Sequence, residues 1–309
     1  FLIISLLWIV LYSQILAQLI SLPPFPESAN TQHFTINKHL SEYMHSVWTA
    51  EHGLPQNTGI ALCQTREGYL WIGTQEGLAR YDGIQFSVFD KTNTPAFKSN
   101  YFTALVEDRN GVLWIGTNGG GLVRLKNGVF TTFTTQNGLS NDIVRSLLQD
   151  RNGAIWIGTN GGGVCRFKDD VFTAYTTKNG LSNDVVYALI QDHEGAIWMG
   201  TLGGGVSRLK DGKFSTYSTQ NGLSNDIVRS LMEDREGAVW IGTNGGGVCK
   251  IKDGKWTTYT TKDGLANDRV YALLQDRIGA IWIGTLGGGI NRLKDGIFET
   301  YNTQNGLSN

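Results

Sequence analysis

The sequence predicts an all-β protein, a β-propeller of four-stranded blades with about 42 residues each, and three features carry that expectation. The string W-[IM]-G-T recurs at Trp71, Trp114, Trp156, Trp198, Trp240 and Trp282, spaced by 43 and then repeatedly by 42. A second marker, N-G-L-S or D-G-L-A, places Gly138, Gly180, Gly222, Gly264 and Gly306 in phase with the first. Composition agrees: 40 glycines against 5 prolines, beside 9 tryptophans, imply many tight turns between aromatic-rich strands.

One unit shows the strands. Val185–Gln191 is apolar and β-branched, and the D-H-E-G turn at residues 192–195 ends it. A second strand covers 196–201 (AIWMGT) and closes at Gly203-Gly204-Gly205; a third covers 206–210. Asp211-Gly212 supplies the pair of a two-residue hairpin turn, and 213–219 (KFSTYST) is the fourth strand. Four such strands cannot bury their faces alone, which is the situation of a propeller blade. No segment keeps a 3.6-residue period over ten residues, which excludes a helical solenoid.

Within the second strand, alternation places Trp198 and Gly200 on one face. The expectation is that the indole fills the gap between blades and the glycine makes room for the neighbouring blade's tryptophan. The six repeated tryptophans are thus read as structural rather than as a sugar-stacking platform. A longer period overlies the short one: residues 143–184 and 227–268 match at 30 of 42 positions, so Arg145 and Arg229 alternate with Tyr187 and Tyr271. Duplication of blade pairs accounts for the alternation.

Residues 1–22 open with the apolar run FLIISLLWIVLYSQILA and read as part of a signal peptide or signal anchor, followed by a linker at 23–42. The propeller then occupies 43–309. Residues 45–50 are expected to form a solitary fourth strand, because Trp48 precedes Gly53 by five positions as Tyr217 precedes Gly222. Complete blades run from about 57 to 303, and 304–309 resemble the opening of another. Six complete blades in a truncated chain are expected, with seven or more in the full protein. Cys63, Cys165 and Cys249 are too dispersed for a disulfide framework and read as unpaired core thiols.

Strand alternation also assigns two faces. One, here the loop face, gathers the blade-connecting loops and the T-[NL]-G-G-G turns; the other, the hairpin face, gathers the remaining turns. The loop face carries Asn141, Asp142, Asn183, Asp184, Asn225, Asp226, Asn267 and Asp268, with Asn118, Asn160 and Asn244 nearby. Arg145, Tyr187, Arg229 and Tyr271 begin the first strands, normally the innermost, and so are expected to ring the channel mouth. Amides, carboxylates, arginine and tyrosine suit a small polar ligand, an oligosaccharide or a peptide. Ordinary turn chemistry accounts for most of the Asn and Asp residues, which bond their own backbone.

Other chemistries lack their residues. A net charge of −1, from 26 Lys+Arg and 27 Asp+Glu, offers no basic face for nucleic acid. The G-G-G triplets are not followed by a helix and Lys-Ser/Thr, so they are strand turns and not phosphate cradles. His33, His39, His45 and His52 have no metal-ligand spacing on a defined element. No catalytic order of Ser, His and Asp stands out, and neither a cofactor nor a metal is expected.

The stretch Gln64–Gly83 (QTREGYLWIGTQEGLARYDG), preceded by Trp48 and by Gly53-Leu54-Pro55-Gln56-Asn57, resembles the opening of bacterial two-component-regulator propellers. The repeated D-x-x-G-x-[IVL]-W-[IM]-G-T is similar to that family's unit, and the resemblance covers about residues 43–309. It implies a periplasmic sensor region of a receptor held in the bacterial inner membrane. It also implies a missing output module, most often a histidine kinase and otherwise a diguanylate cyclase, and allows a homodimer in the full receptor. The fragment itself is then no enzyme. A stand-alone protein-interaction propeller is the alternative, and a propeller enzyme of the streptogramin-lyase kind is a further one.

Overall fold

The computed structural model describes residues 3–4, 45–304 and 307. The expected signal segment and linker therefore lie almost wholly outside the described residues, as does most of the expected start of a further blade. Among the described residues no helix is long and apolar enough to cross a membrane.

Six four-stranded antiparallel sheets follow one another along the chain and form a β-propeller, spanning residues 61–89, 102–133, 144–175, 186–217, 228–259 and 270–301. Strand order in each sheet is sequence order, because every connection is a tight turn. The fourth blade is typical: Val186–Gln191, Ile197–Thr201, Val206–Lys210 and Lys213–Tyr217. The first strands of successive blades adjoin one another, so they line the axis.

The core is a series of layers between blades and not one central mass. Trp198 packs with Val228, Leu231, Val239 and Ile241 of the fifth blade, and Trp156 packs with Val186, Leu189 and Met199 of the fourth. Trp71, Trp114, Trp156, Trp198 and Trp240 each fill the space between their own blade and the next. Each ring stacks on the fourth-strand aromatic of its own blade, as Trp198 does on Tyr217 with centroids 5.2 Å apart and planes at 8°. A cation covers it as well: the Arg208 guanidinium lies 5.5 Å from the Trp198 ring centre. The indole N–H, which burial would otherwise leave unsatisfied, donates to a carboxylate six residues earlier, Trp198 Nε1 to Asp192 Oδ2 at 2.7 Å.

The glycine of the W-x-G-T string has a different partner from the one expected. A Cβ at Gly200 would lie 2.6 Å from Val228 Cγ1, so the glycine accommodates the first-strand valine of the next blade and not its tryptophan. Gly116 and Gly242 meet Val144 and Val270 in the same way. In the sixth blade Gly284 meets Ala272 of its own blade, and Trp282 is less buried than the other five repeated tryptophans.

The segment expected as a solitary fourth strand is strand only at His45–Ser46, paired in parallel with Ile3–Ile4 rather than joined to a blade. Trp48 nevertheless meets Phe86 edge-on at 5.5 Å, as Tyr217 meets Trp256 at 5.9 Å. With Leu54 it packs against the side of the first blade that no other blade occupies. All three cysteines are buried and free of disulfides, and burial pushes the Cys63 thiol up to about 12.

Candidate functional site

The residues expected at the channel mouth sit on a local irregularity. In the five blades after the first, pairing of the first and second strands slips by one residue, between Val144 and Ser146 in the third and at the matching places elsewhere. Arg145, Tyr187, Arg229 and Tyr271 are the extra residues of these β-bulges, with Thr103 at the same place in the second blade. A bulge frees one side chain from the strict alternation of the sheet and re-aims it. The first blade pairs regularly there and contributes no such residue.

These side chains form one row across four blades. The Arg229 guanidinium stacks 4.1 Å from the Tyr187 ring centre in the preceding blade and 5.5 Å from Tyr271 in the following one. Arg145 approaches the other side of the row, 6.0 Å from Tyr187, and donates from Nε and Nη2 to Asn160 Oδ1 at 3.3 and 3.2 Å. The Tyr271 hydroxyl donates to Asn244 Oδ1 of the preceding blade at 3.4 Å. Thr103 donates instead to the Val144 carbonyl at 2.6 Å and takes no part. Arg145, Tyr187 and Arg229 are half-buried and Tyr271 is buried.

The other loop-face residues are engaged with backbone. Asn141, Asn183, Asn225 and Asn267 each accept, through Oδ1, the N–H two residues on, at 2.8 to 2.9 Å. Asp142, Asp184, Asp226 and Asp268 each accept a threonine N–H seven residues back, at 2.7 Å, and that threonine's hydroxyl on the other oxygen. Their carbonyls serve too: Gly203 and Gly205 N–H both donate to Asp226 O, at 3.0 and 2.9 Å. Each glycine-rich turn therefore clasps the loop that leads out of the following connection. The Asn118 and Asn160 backbones bridge to Ile143 and Val185 of the next blade.

The hairpin face holds a belt that the sequence reading did not single out. Arg66 Nη1 donates to the Arg109 carbonyl at 2.7 Å, Arg109 to that of Arg151, Arg151 to that of His193, and Arg235 to that of Arg277. The N–H of each first residue is held by a glutamine or glutamate of the next blade, as Arg151 N–H is by Gln191. The signal was present as the D-R dipeptide six residues before Trp114, Trp156, Trp240 and Trp282, with Thr65-Arg66 at the same place in the first blade. His193 is the exception: its ring pairs with Glu233, which raises its pKa above the ordinary histidine value. Among the described residues no group of three His, Cys, Asp or Glu is placed to hold a metal.

Comparison with known proteins follows from this geometry. The chain resembles the extracellular domain of a hybrid two component system from B. thetaiotaomicron, at 27% identity and a TM-score of 0.72, over 80% of this chain and 34% of that one. It spans about a third of that structure. A second such domain from the same organism matches at 20% identity and a TM-score of 0.52, over 79% of this chain and 43% of that one. Virginiamycin B lyase from Staphylococcus aureus shares the fold alone, at 17% identity and a TM-score of 0.63, over 80% of this chain and 84% of the lyase. No curated protein matches in sequence. The signature described as "Two component regulator propeller" matches six times, at residues 53–76, 96–119, 138–161, 180–203, 222–245 and 264–287, once in each blade. With six such matches in register with six blades, the chain belongs to the two component regulator propeller family.

Proposed function

We propose that this propeller is the extracytoplasmic ligand-sensing region of a bacterial signal-transduction receptor, and that it binds a small polar ligand at the channel mouth. The output module is a histidine kinase of a two-component system in the reading favoured here, and a diguanylate cyclase is the variant. The observation that supports binding is the row Arg145–Tyr187–Arg229–Tyr271, four polar residues carried on bulges of four successive blades and in contact with one another along the row. A ligand seated there touches several blades at once, so occupancy changes how firmly they hold together, and rigid layers pass that change to the chain beyond. Likeness to extracellular domains of hybrid two component systems supports the compartment and the class of receptor. Anchoring in the inner membrane belongs to the same proposal.

Thermal denaturation against an oligosaccharide library tests the site. A ligand that raises the melting temperature of the wild type and not of the Arg145→Ala, Arg229→Ala double variant supports the mouth. An unchanged shift in the variant refutes it.

A further inference from the structure

We propose that the channel mouth selects an anionic ligand, a sugar acid rather than a neutral sugar, with Arg229 as the principal carboxylate-binding residue and Arg145 as the second. The inference rests on the binding role proposed above and adds the charge of the ligand.

The Arg229 guanidinium lies between the faces of Tyr187 and Tyr271. Stacking uses the flat faces of a guanidinium and leaves the N–H donors, which lie in its plane, unspent. No acceptor among the described residues takes them, and Nε is buried without a partner. Among the described residues no carboxylate pairs with Arg229 or Arg145, although other arginines find one, as Arg208 finds Asp192 and Glu194. Arg145 has only the neutral amide oxygen of Asn160, at the long distances of 3.3 and 3.2 Å. Two half-buried cations on one face thus stand without a counter-charge in a protein of net charge −1. Withdrawing a cation from water without an anion is costly, and an incoming carboxylate recovers that cost through a charge-assisted, two-pronged hydrogen bond.

The acidic residues of the same face do not fill this role. Asp142, Asp184, Asp226 and Asp268 share the loop face, but each spends both carboxylate oxygens on a threonine seven residues earlier. Around the cations lie the amides of Asn160 and Asn244 and the Tyr271 hydroxyl, which suit the hydroxyls of a sugar ring.

Calorimetric titration of the chain with galacturonate, with galactose and with triglycine tests the proposal. These probes offer a carboxylate on a sugar, the sugar without it, and a carboxylate without the sugar. Galacturonate is expected to bind at least about tenfold more tightly than either of the others. Arg229→Gln is expected to bring galacturonate down to about the level of galactose, and Arg145→Gln to weaken it less. Circular dichroism checks that each variant is folded, and agreement between the two variants guards against one that is not. Equal binding of galacturonate and galactose, lost in Tyr187→Ala, overturns the charge selection and leaves the mouth as the binding site. Tighter binding of triglycine through Arg229 overturns the sugar assignment. Binding of galacturonate that ignores both arginines overturns this proposal and the mouth together, and failure of all three probes to bind overturns the charge selection.

Discussion

The Arg229 guanidinium lies 4.1 Å from the centre of the Tyr187 ring, and the two residues belong to different blades. Both stand at β-bulges, so the contact exists only because consecutive blades carry the same irregularity at the same height. A half-buried cation–π pair of this kind contributes about 0.5–2 kcal/mol. A double-mutant cycle of Tyr187→Leu with Arg229→Gln, read by urea denaturation, is expected to give a coupling energy in that range. A coupling indistinguishable from zero means that the stacking holds nothing together.

The Asp192–Trp198 hydrogen bond predicts a larger loss. Asp192→Ala strands the Trp198 N–H in the core and removes the acceptor of the Ala196 N–H, at a cost of about 2–4 kcal/mol. Acid has a related effect. Burial disfavours the charged form of Asp192, but hydrogen bonds from Trp198 and Ala196, with Arg208 alongside, outweigh it and lower the pKa. A lowered folded pKa means stability that is present above the unfolded value, about 4, and lost as pH falls through the folded one. Wild type and Asp192→Asn should therefore converge in melting temperature below pH 4 and diverge above it.

His193 predicts dependence in the opposite direction. Its folded pKa is raised by Glu233 above the ordinary 6.5, so its contribution is complete below that pH and disappears as pH rises through the folded value. His193→Arg restores the residue that four other blades use to donate to the next blade, and it stays charged throughout. Melting curves from pH 5.5 to 8.5 should show the variant gaining on wild type as pH rises. Parallel curves would sink the idea.

The third blade carries Asp169-Asp170 where the next three have Asp-Gly, and Asp170 has φ of 60°. A side chain in this left-handed region costs about 1 kcal/mol relative to glycine. Asp170 is exposed, and its only ion pair among the described residues is a 3.9 Å approach to Arg124. Asp170→Gly should stabilise the protein by about 0.5–1 kcal/mol in chemical denaturation, and a loss of stability contradicts this account.

Gly200→Ala tests the packing between blades. The added methyl would meet Val228 Cγ1 at 2.6 Å, closer than carbon atoms approach, so the fourth and fifth blades must separate. Overpacking of this kind costs about 1–3 kcal/mol. Gly284→Ala in the sixth blade meets no valine and should cost less, which the melting temperatures of the two variants would show.

By itself the sequence determined the repeat, its four strands, the turn residues and the two faces, because each follows from local spacing and local turn chemistry. The position of Arg145, Tyr187, Arg229 and Tyr271 at the start of the first strands was legible for the same reason. Three features were decided only in three dimensions. A bulge is a mismatch between two strands, so neither strand announces it, and with it came the re-aiming of the mouth residues. The partner of Gly200 belongs to another blade, 28 residues on, and depended on how the blades are spaced; the valine won because the second strand of one blade packs against the first strand of the next. The stacking of Arg229 between two tyrosines likewise joins three blades, and with it goes the absence of a carboxylate that leaves its charge for a ligand.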